Sequence, residues 1–508
     1  MIGYEQLLSR IGLRMPPLDR PARVKPVTRI EVIQGVLAVP KNVAPADNAS
    51  LLAHAQFALK HEGVNLAILH EAMKLIPAQD MAAALGEQPK AAYLRRLAFI
   101  WEKANASELD LPWTSTGGNY LDMFDRQEHY TGQVWEKCTR LRVNFNGLGP
   151  YHYCPVVLRD ERLERRGERV LNELKVWADD PGNADLVDRV MDWAYLSETR
   201  DSYAIENEEA SPDKARAFMA AMQHLADRSP LTEGYVAALQ QAVISRPELA
   251  EFEFRGHQNW LQRGGRGALS VRYVPPPPET LPALMDGFMQ MANIRDDTPA
   301  LIKAALVSFG FVFLHPFGDG NGRLSRLLAH HSLNYNGALP DAHGTPAILP
   351  LSVAMKKDEK GYLHALESFS KPARALWDVT YIDGSQFDFK FASSTMIYAS
   401  WAGQVASEFI TSCAESALEQ TLLEETTYLQ AYDQAFEKID SAFDLPNRTI
   451  NLLVQWIHQN DCRMPERRKN SQEVQMLKPE EIEAIETMVQ SAFGASGKSA
   501  PAPRQVRP

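Results

Sequence analysis

The sequence predicts a mainly α fold, and three observations carry that expectation. From Thr298, the run TPALIKAALVSFGFVFL sets Leu301, Ile302, Ala305, Leu306, Phe309 and Phe313 at helical spacing and reads as a buried helix. LSRLLAHHSLNY (324–335) and DLVDRVMDWAYLSETR (185–200) continue the helical pattern elsewhere. β signals, by contrast, are confined to short runs beside glycine-rich or aromatic turns. At 508 residues the chain exceeds one ordinary core, so about two to four units are expected.

Taken in order, residues 1–42 mix Arg10, Arg14, Arg20, Arg23, Lys25 and Arg29 with Pro16, Pro17, Pro21 and Pro26, which reads as an extended arm over the surface. Residues 48–103 are alanine-rich and helical in pattern. Residues 104–160 hold Trp113, Gly117-Gly118, Asn144-Phe145-Asn146-Gly147 and Tyr151-His152-Tyr153, an irregular or partly β stretch whose aromatics serve as core. Glu161 opens a charged helix that leads through 185–200 to the acidic run ENEE, after which Ser211 and Pro212 cap and open another helix. FEFR (252–255) and Val271-Arg272-Tyr273-Val274 flank the glycine-rich RGGRG and suggest a hairpin, ended by Pro275 to Pro278. After Tyr381 and Asp383-Gly384-Ser385, an alanine- and acid-rich helical zone runs to Phe436. Residues 446–496 read helix, turn, helix, a small winged-helix-like or bundle module in which ERRKN is a solvated turn. The tail 494–508, rich in Ala, Pro, Ser and Gly, is expected to be disordered. The expected units are 1–165, 166–375, 376–493 and the tail.

The densest chemistry lies in His315-Pro316-Phe317-Gly318-Asp319-Gly320-Asn321-Gly322-Arg323-Leu324-Ser325-Arg326. Pro316 biases His315 away from helical geometry, so the buried helix should deliver His315 at its end. Gly318, Gly320 and Gly322 let backbone N–H groups converge without Cβ clashes, and such a nest running into a helix start suits phosphate. Arg323 and Arg326 fall one turn apart on one helical face, and guanidinium forks match phosphate oxygens. A histidine near its ordinary pKa can accept a proton, and a single carboxylate suits Mg2+ shared with phosphates. Each piece alone has a plain structural meaning; the combination points to a polyphosphate site.

Position by position, this run matches H-P-F-x-D/E-G-N-G-R-x-x-R, so the chain resembles the Fic-domain family. The resemblance implies a Fic-type helical bundle with a β-hairpin flap, flanked by N-terminal α(+β) and C-terminal helical regions. It implies a protein adenylyltransferase that moves AMP from ATP to a Ser, Thr or Tyr hydroxyl of a target protein or of itself. His315 would be the general base and Asp319 the Mg2+ ligand. Gly320, Asn321 and Gly322 would line the anion hole, with Arg323 and Arg326 on the outer phosphates and Phe317 as a buried anchor. Ser202-Tyr203-Ala204-Ile205-Glu206-Asn207 resembles the family's inhibitory motif S/T-x-x-x-E-G/N, on a helix at about 195–210. Glu206 would then pair with Arg326 and keep the γ-phosphate out of its productive position. The stretch 252–275 resembles the Fic flap, with Asn259, Trp260 and Leu261 docking the target peptide as an added strand. Tyr362 sits where relatives carry an adenine-side tyrosine.

Composition bounds the rest. Charged residues make up 23% and net charge is −11, which argues against nucleic acid as the main partner, although 446–496 leaves that open. Cys138, Cys154, Cys413 and Cys462 show neither a disulfide framework nor metal-ligand spacing, and no stretch approaches a membrane span, so a reducing cytoplasm is expected. AMP removal, transfer of another nucleotide and a non-catalytic nucleotide sensor are the alternatives, and a homodimer stays open.

Overall fold

A computed structural model of the protein describes residues 1–46, 48–244, 246–265, 267–342, 344–383 and 386–494. Gly384-Ser385 and the tail from 495 lie outside the described residues. The fold is mainly α, with five small sheets of two or three strands among the described residues.

Helix Ala300–Leu314 is the hub. Every residue in it except Ala300 and Val312 is buried, which follows from apolar side chains on all its faces. It packs against Asn321–Tyr335, Leu281–Asn293 and Gln404–Ala417. The long helix Ala184–Ile205 lies against Leu351–Lys357 and touches Asn321–Tyr335. One buried cluster runs from Tyr4 to Leu422, unbroken at residues 165 and 375. The N-terminal region therefore shares its core with the helices around the motif.

Two local expectations change. Residues 1–42 are not an extended arm: Gly3–Ile11 is a helix with Tyr4 and Leu7 buried, and the Tyr4 hydroxyl donates to the Gly63 carbonyl at 2.6 Å. Ala22–Val24, Glu31–Ile33 and Val36–Val39 follow as a three-stranded sheet with the last strand in the centre. Tyr4, Leu7 and Leu8 give this short helix an apolar stripe at i, i+3 and i+4 that outweighs the surrounding arginines and prolines. Secondly, the region after 375 opens with an antiparallel hairpin, Trp377–Asp383 against Gln386–Phe391. Helix Gln404–Ala417 then joins the main core. Of the two arrangements expected for the C-terminal module, it is the helical bundle, with no strand among the described residues from 404 onward. Its separate core is built by helices Leu423–Ala442, Asn447–His458 and Pro479–Gly494.

Residues 104–160 are partly β as expected. Leu121–Asp122, Glu136–Cys138 and Val143–Phe145 form a sheet, and Phe145 packs among Phe99, Phe124 and Tyr151. The four cysteines are free thiols, and no helix among the described residues is long and apolar enough to cross a membrane.

Candidate active site

The buried hub helix ends on His315, which adopts a left-handed conformation (φ +49°, ψ +58°) while its N–H still donates to the Phe311 carbonyl at 2.9 Å. Its Nδ1 lies 3.2 Å from the Val312 carbonyl. A carbonyl can only accept, so Nδ1 carries the proton and Nε2 carries the lone pair. Burial lowers the imidazole pKa to about 4; the Val312 bond raises it, the Arg255 charge lowers it, and Glu206 and Asp319 raise it. The sequence suggested an ordinary histidine pKa. Enclosure instead keeps this one neutral across the physiological range.

The next residues form a tight loop pinned from inside. Phe317 is fully buried between Phe254 and Phe311. The Asn321 side chain accepts from Phe317 N–H at 3.0 Å and donates to the Phe317 carbonyl at 2.7 Å, so it staples the loop while its backbone starts helix Asn321–Tyr335. Gly320, the N-cap of that helix, needs φ +84° and supplies no side-chain acceptor. With no side-chain cap at Gly320, the start of this 15-residue helix suits an anion, with the dipole in its favour. Gly318 N–H, at the edge of the loop, donates to Glu251 Oε2 at 2.6 Å. Asp319 Oδ1 accepts from Gly320 N–H at 2.7 Å and pairs with Arg323 at 3.2 Å.

Both arginines are nearly inaccessible, with side chains 1% exposed. Arg326 donates through Nε to Ser202 Oγ at 2.9 Å, through Nη2 to the Ser202 carbonyl at 2.7 Å and to Glu206 Oε1 at 3.0 Å, and through Nη1 to the Tyr362 hydroxyl at 3.4 Å. Arg323 pairs with Glu208 at 2.9 Å and lies over the Tyr203 ring. A Cβ added at Gly322 would collide with Glu206 Oε1, so that carboxylate rests against the backbone of the cradle.

Helix Ala184–Ile205 puts Glu206 there by the way it ends. Glu208 N–H bonds back to the Tyr203 carbonyl and Asn207 N–H to the Ala204 carbonyl, with Asn207 left-handed at φ +59°. This is a Schellman ending, which favours Gly or Asn at the left-handed position. The asparagine after the glutamate thereby acquires a physical reason. Two turns upstream, the wholly buried Glu198 binds His330 Nε2 at 2.9 Å, Ser352 N–H at 2.6 Å and the Ser352 hydroxyl at 2.5 Å. Glu198, Ser202 and Glu206 are spaced i, i+4, i+8 and share one face.

The hairpin near the site is shorter than FEFR suggested: Leu261–Gln262 pairs with Val271–Tyr273, and residues 252–255 are irregular. Its three expected docking residues point different ways. Asn259 donates to the Phe317 carbonyl at 2.9 Å, tying the hairpin to the loop. Trp260 packs its ring on Phe387 and Phe389 of the 377–391 hairpin, with centroids 5.5 and 5.1 Å away. Leu261 is exposed. Tyr362 packs between Phe309 and Phe409 with its hydroxyl at Arg326, at the arginine end of the cradle.

Sequence reasoning passed over Glu198, Glu208, Glu251 and Arg255. The i, i+4 spacing back from Ser202 marks Glu198; nothing local marks the other three.

A histidine at a helix end, a glycine-started helix beside it, two enclosed arginines and a hairpin alongside thus lie together at one helix start. Residues 230–333 match the model of the Fic/DOC family. Among named relatives, the chain is similar to "Protein adenylyltransferase Fic" of Nematostella vectensis, 29% identical over 174 residues, 30% of this chain and 40% of that one. It is also similar to the protein of the same name in Drosophila virilis, 35% identical over 117 residues, 23% of this chain and 20% of the relative. The matches thus span less than half of these relatives. A solved Fic family protein from Desulfovibrio desulfuricans aligns over 65% of this chain and 84% of its own at 16% identity and a TM-score of 0.38.

Proposed function

We propose that this chain is a Fic-type protein adenylyltransferase that moves AMP from ATP to a Ser, Thr or Tyr hydroxyl, held in check by Glu206. One observation carries the reading: a neutral histidine with Nε2 available stands beside an uncapped helix N-terminus flanked by two buried arginines. The names of the relatives support it.

In this reading the target's hydroxyl oxygen attacks the α-phosphorus and its proton passes to His315 Nε2. The bond from the α-phosphorus to the bridging oxygen breaks, and pyrophosphate leaves. His315 needs no rotation to act, because Val312 already fixes its ring. First-turn N–H groups of Asn321, Gly322 and Arg323 meet the phosphates, and the guanidinium groups oppose the growing charge in an enclosed setting. Asp319 fits Mg2+: it is a carboxylate at the cradle's edge, its side chain 28% exposed. Among the described residues no cluster of three or more candidate ligands exists, which suits an ion that draws most of its shell from phosphate and water. Bound Mg2+ would neutralise charge on the triphosphate.

The test is transfer of label from ATP radiolabelled at the α-phosphate, to the protein itself and to a lysate, with Mg2+ or with EDTA. Label that appears in Glu206→Gly, vanishes with EDTA and is absent with γ-labelled ATP supports the reading. Silence with ATP binding intact turns it toward AMP removal, another nucleotide or a sensor.

A further inference from the structure

We infer that Arg255 is the positioning residue of this site: it fastens the hairpin to the backbone of His315 and so sets where the target hydroxyl meets the base. The inference rests on His315 being that base.

Arg255 is 4% exposed. Its guanidinium serves main-chain carbonyls: Nε donates to His315 O at 2.9 Å, Nη1 to His257 O at 2.9 Å, and Nη2 to Pro276 O at 2.8 Å and Leu314 O at 3.5 Å. Its own N–H donates to Pro316 O at 2.9 Å. One side chain therefore joins the end of the hub helix to both legs of the hairpin, His257 before it and Pro276 after it.

The physical need is specific. The last carbonyls of helix Ala300–Leu314 have no partner within the helix, and a cation at a helix C-terminus complements the dipole. His315 is a non-glycine residue in a left-handed conformation, which is costly and persists only where surroundings over-determine it. Arg255 supplies that determination at the carbonyl of His315, and Asn259 adds a second tie at Phe317. Burial depresses the Arg255 pKa to about 10, a sign of how little water reaches it. A lysine, with one point of charge, could not span the same carbonyls.

The test places Arg255→Gln and Arg255→Lys in the full chain carrying Glu206→Gly. For Arg255→Gln, ATP affinity by calorimetry should hold at the parent's value while kcat for transfer falls about a hundredfold, the scale of a misplacement near 1 Å. Arg255→Lys should recover part of the loss. Unchanged kcat, or a matching fall in ATP affinity, would overturn the inference. If the Glu206→Gly parent transfers nothing, the proposed reaction fails, but the clamp is still read by amide hydrogen exchange. Arg255→Gln should speed exchange across 257–276 and 311–318 and leave the rest unchanged; unchanged or uniformly faster exchange would overturn it. Should Arg255→Gln not fold, Arg255→Lys carries both readouts.

Discussion

Replacing Glu206 by glycine should raise the initial rate of AMP transfer about ten- to thirtyfold. The carboxylate makes a charge-assisted hydrogen bond to Arg326 and rests against the Gly322 backbone, where a phosphate would lie. Such bonds to charged groups contribute about 1.5–3 kcal/mol when well enclosed. Arg326 is enclosed but the Glu206 side chain is 35% exposed, so the lower part of that range applies. At about 1.4 kcal/mol per decade, removal of about 1.5–2 kcal/mol yields about one to one and a half decades in productive occupancy. Two features keep the estimate from being eroded. Arg326 stays aimed without Glu206, because Ser202 holds it through Oγ and the main-chain carbonyl. The helix end also survives, since its closing bonds run between main-chain groups of 203, 204, 207 and 208. Initial rates over a range of ATP concentrations, with label at the α-phosphate, separate KM from kcat. Glu206→Gln, which keeps the volume and loses the charge, should fall between wild type and Glu206→Gly. A rate for Glu206→Gly equal to or below wild type, with ATP binding intact, would refute the inhibitory role.

The remaining expectations bear on the base and on the helix. His315→Ala should cost transfer at least about 10²-fold while calorimetric ATP binding persists; retained turnover would remove it as base. For Glu206→Gly, kcat/KM should be level between about pH 6 and 8 and decline only as pH falls toward about 4, because the base acts unprotonated and its pKa is depressed to that value by burial. A decline centred near the ordinary histidine value would show that the enclosure does not persist in solution. Glu198→Ala leaves Ser352 and His330 without their buried partner, at about 1–3 kcal/mol for each unsatisfied group, so the melting temperature should drop and basal transfer should rise. A lower melting temperature with unchanged basal transfer would separate Glu198 from inhibition.

The motif was legible because its residue types are improbable in combination. Histidine, aspartate and two arginines beside three glycines satisfy no ordinary core, so the pattern asks for a ligand on sequence grounds alone. The 377–391 hairpin was legible too, though the helical reading passed over it. Trp377, Val379 and Tyr381 fall at a period of two before the sequence Asp383-Gly384, and Phe387, Phe389 and Phe391 fall at a period of two after it, with only Ile382 breaking the polar set between them. The helix Gly3–Ile11 was hidden by its length, since nine residues give barely two turns of pattern. Arg255 could not be read at all. Its carbonyl partners lie as far as 60 residues away, and an arginine after Phe-Glu-Phe looks like any strand-edge charge until the chain closes around it.

That closure also constrains how inhibition could be lifted. Helix Ala184–Ile205 is part of the core: Tyr195, Ser197, Glu198, Thr199, Ser202 and Tyr203 are all buried on it, and Tyr203 donates to the Val243 carbonyl. Withdrawing the whole helix would expose those aromatic rings and break the Glu198 network, a loss comparable to the full stability of a domain. Beyond Ile205 the situation reverses. Glu206 and Glu208 have side chains 35% and 39% exposed, and their turn is closed by a left-handed asparagine and two main-chain bonds. Opening the turn at 206–209 leaves Tyr203 and Ile205 packed in the core, yet it draws a carboxylate away from Arg326 and another from Arg323. In the proposed reading, release by a partner or by ATP would act on residues 206–209, with Ser202 as the fixed point that keeps Arg326 in place for phosphate.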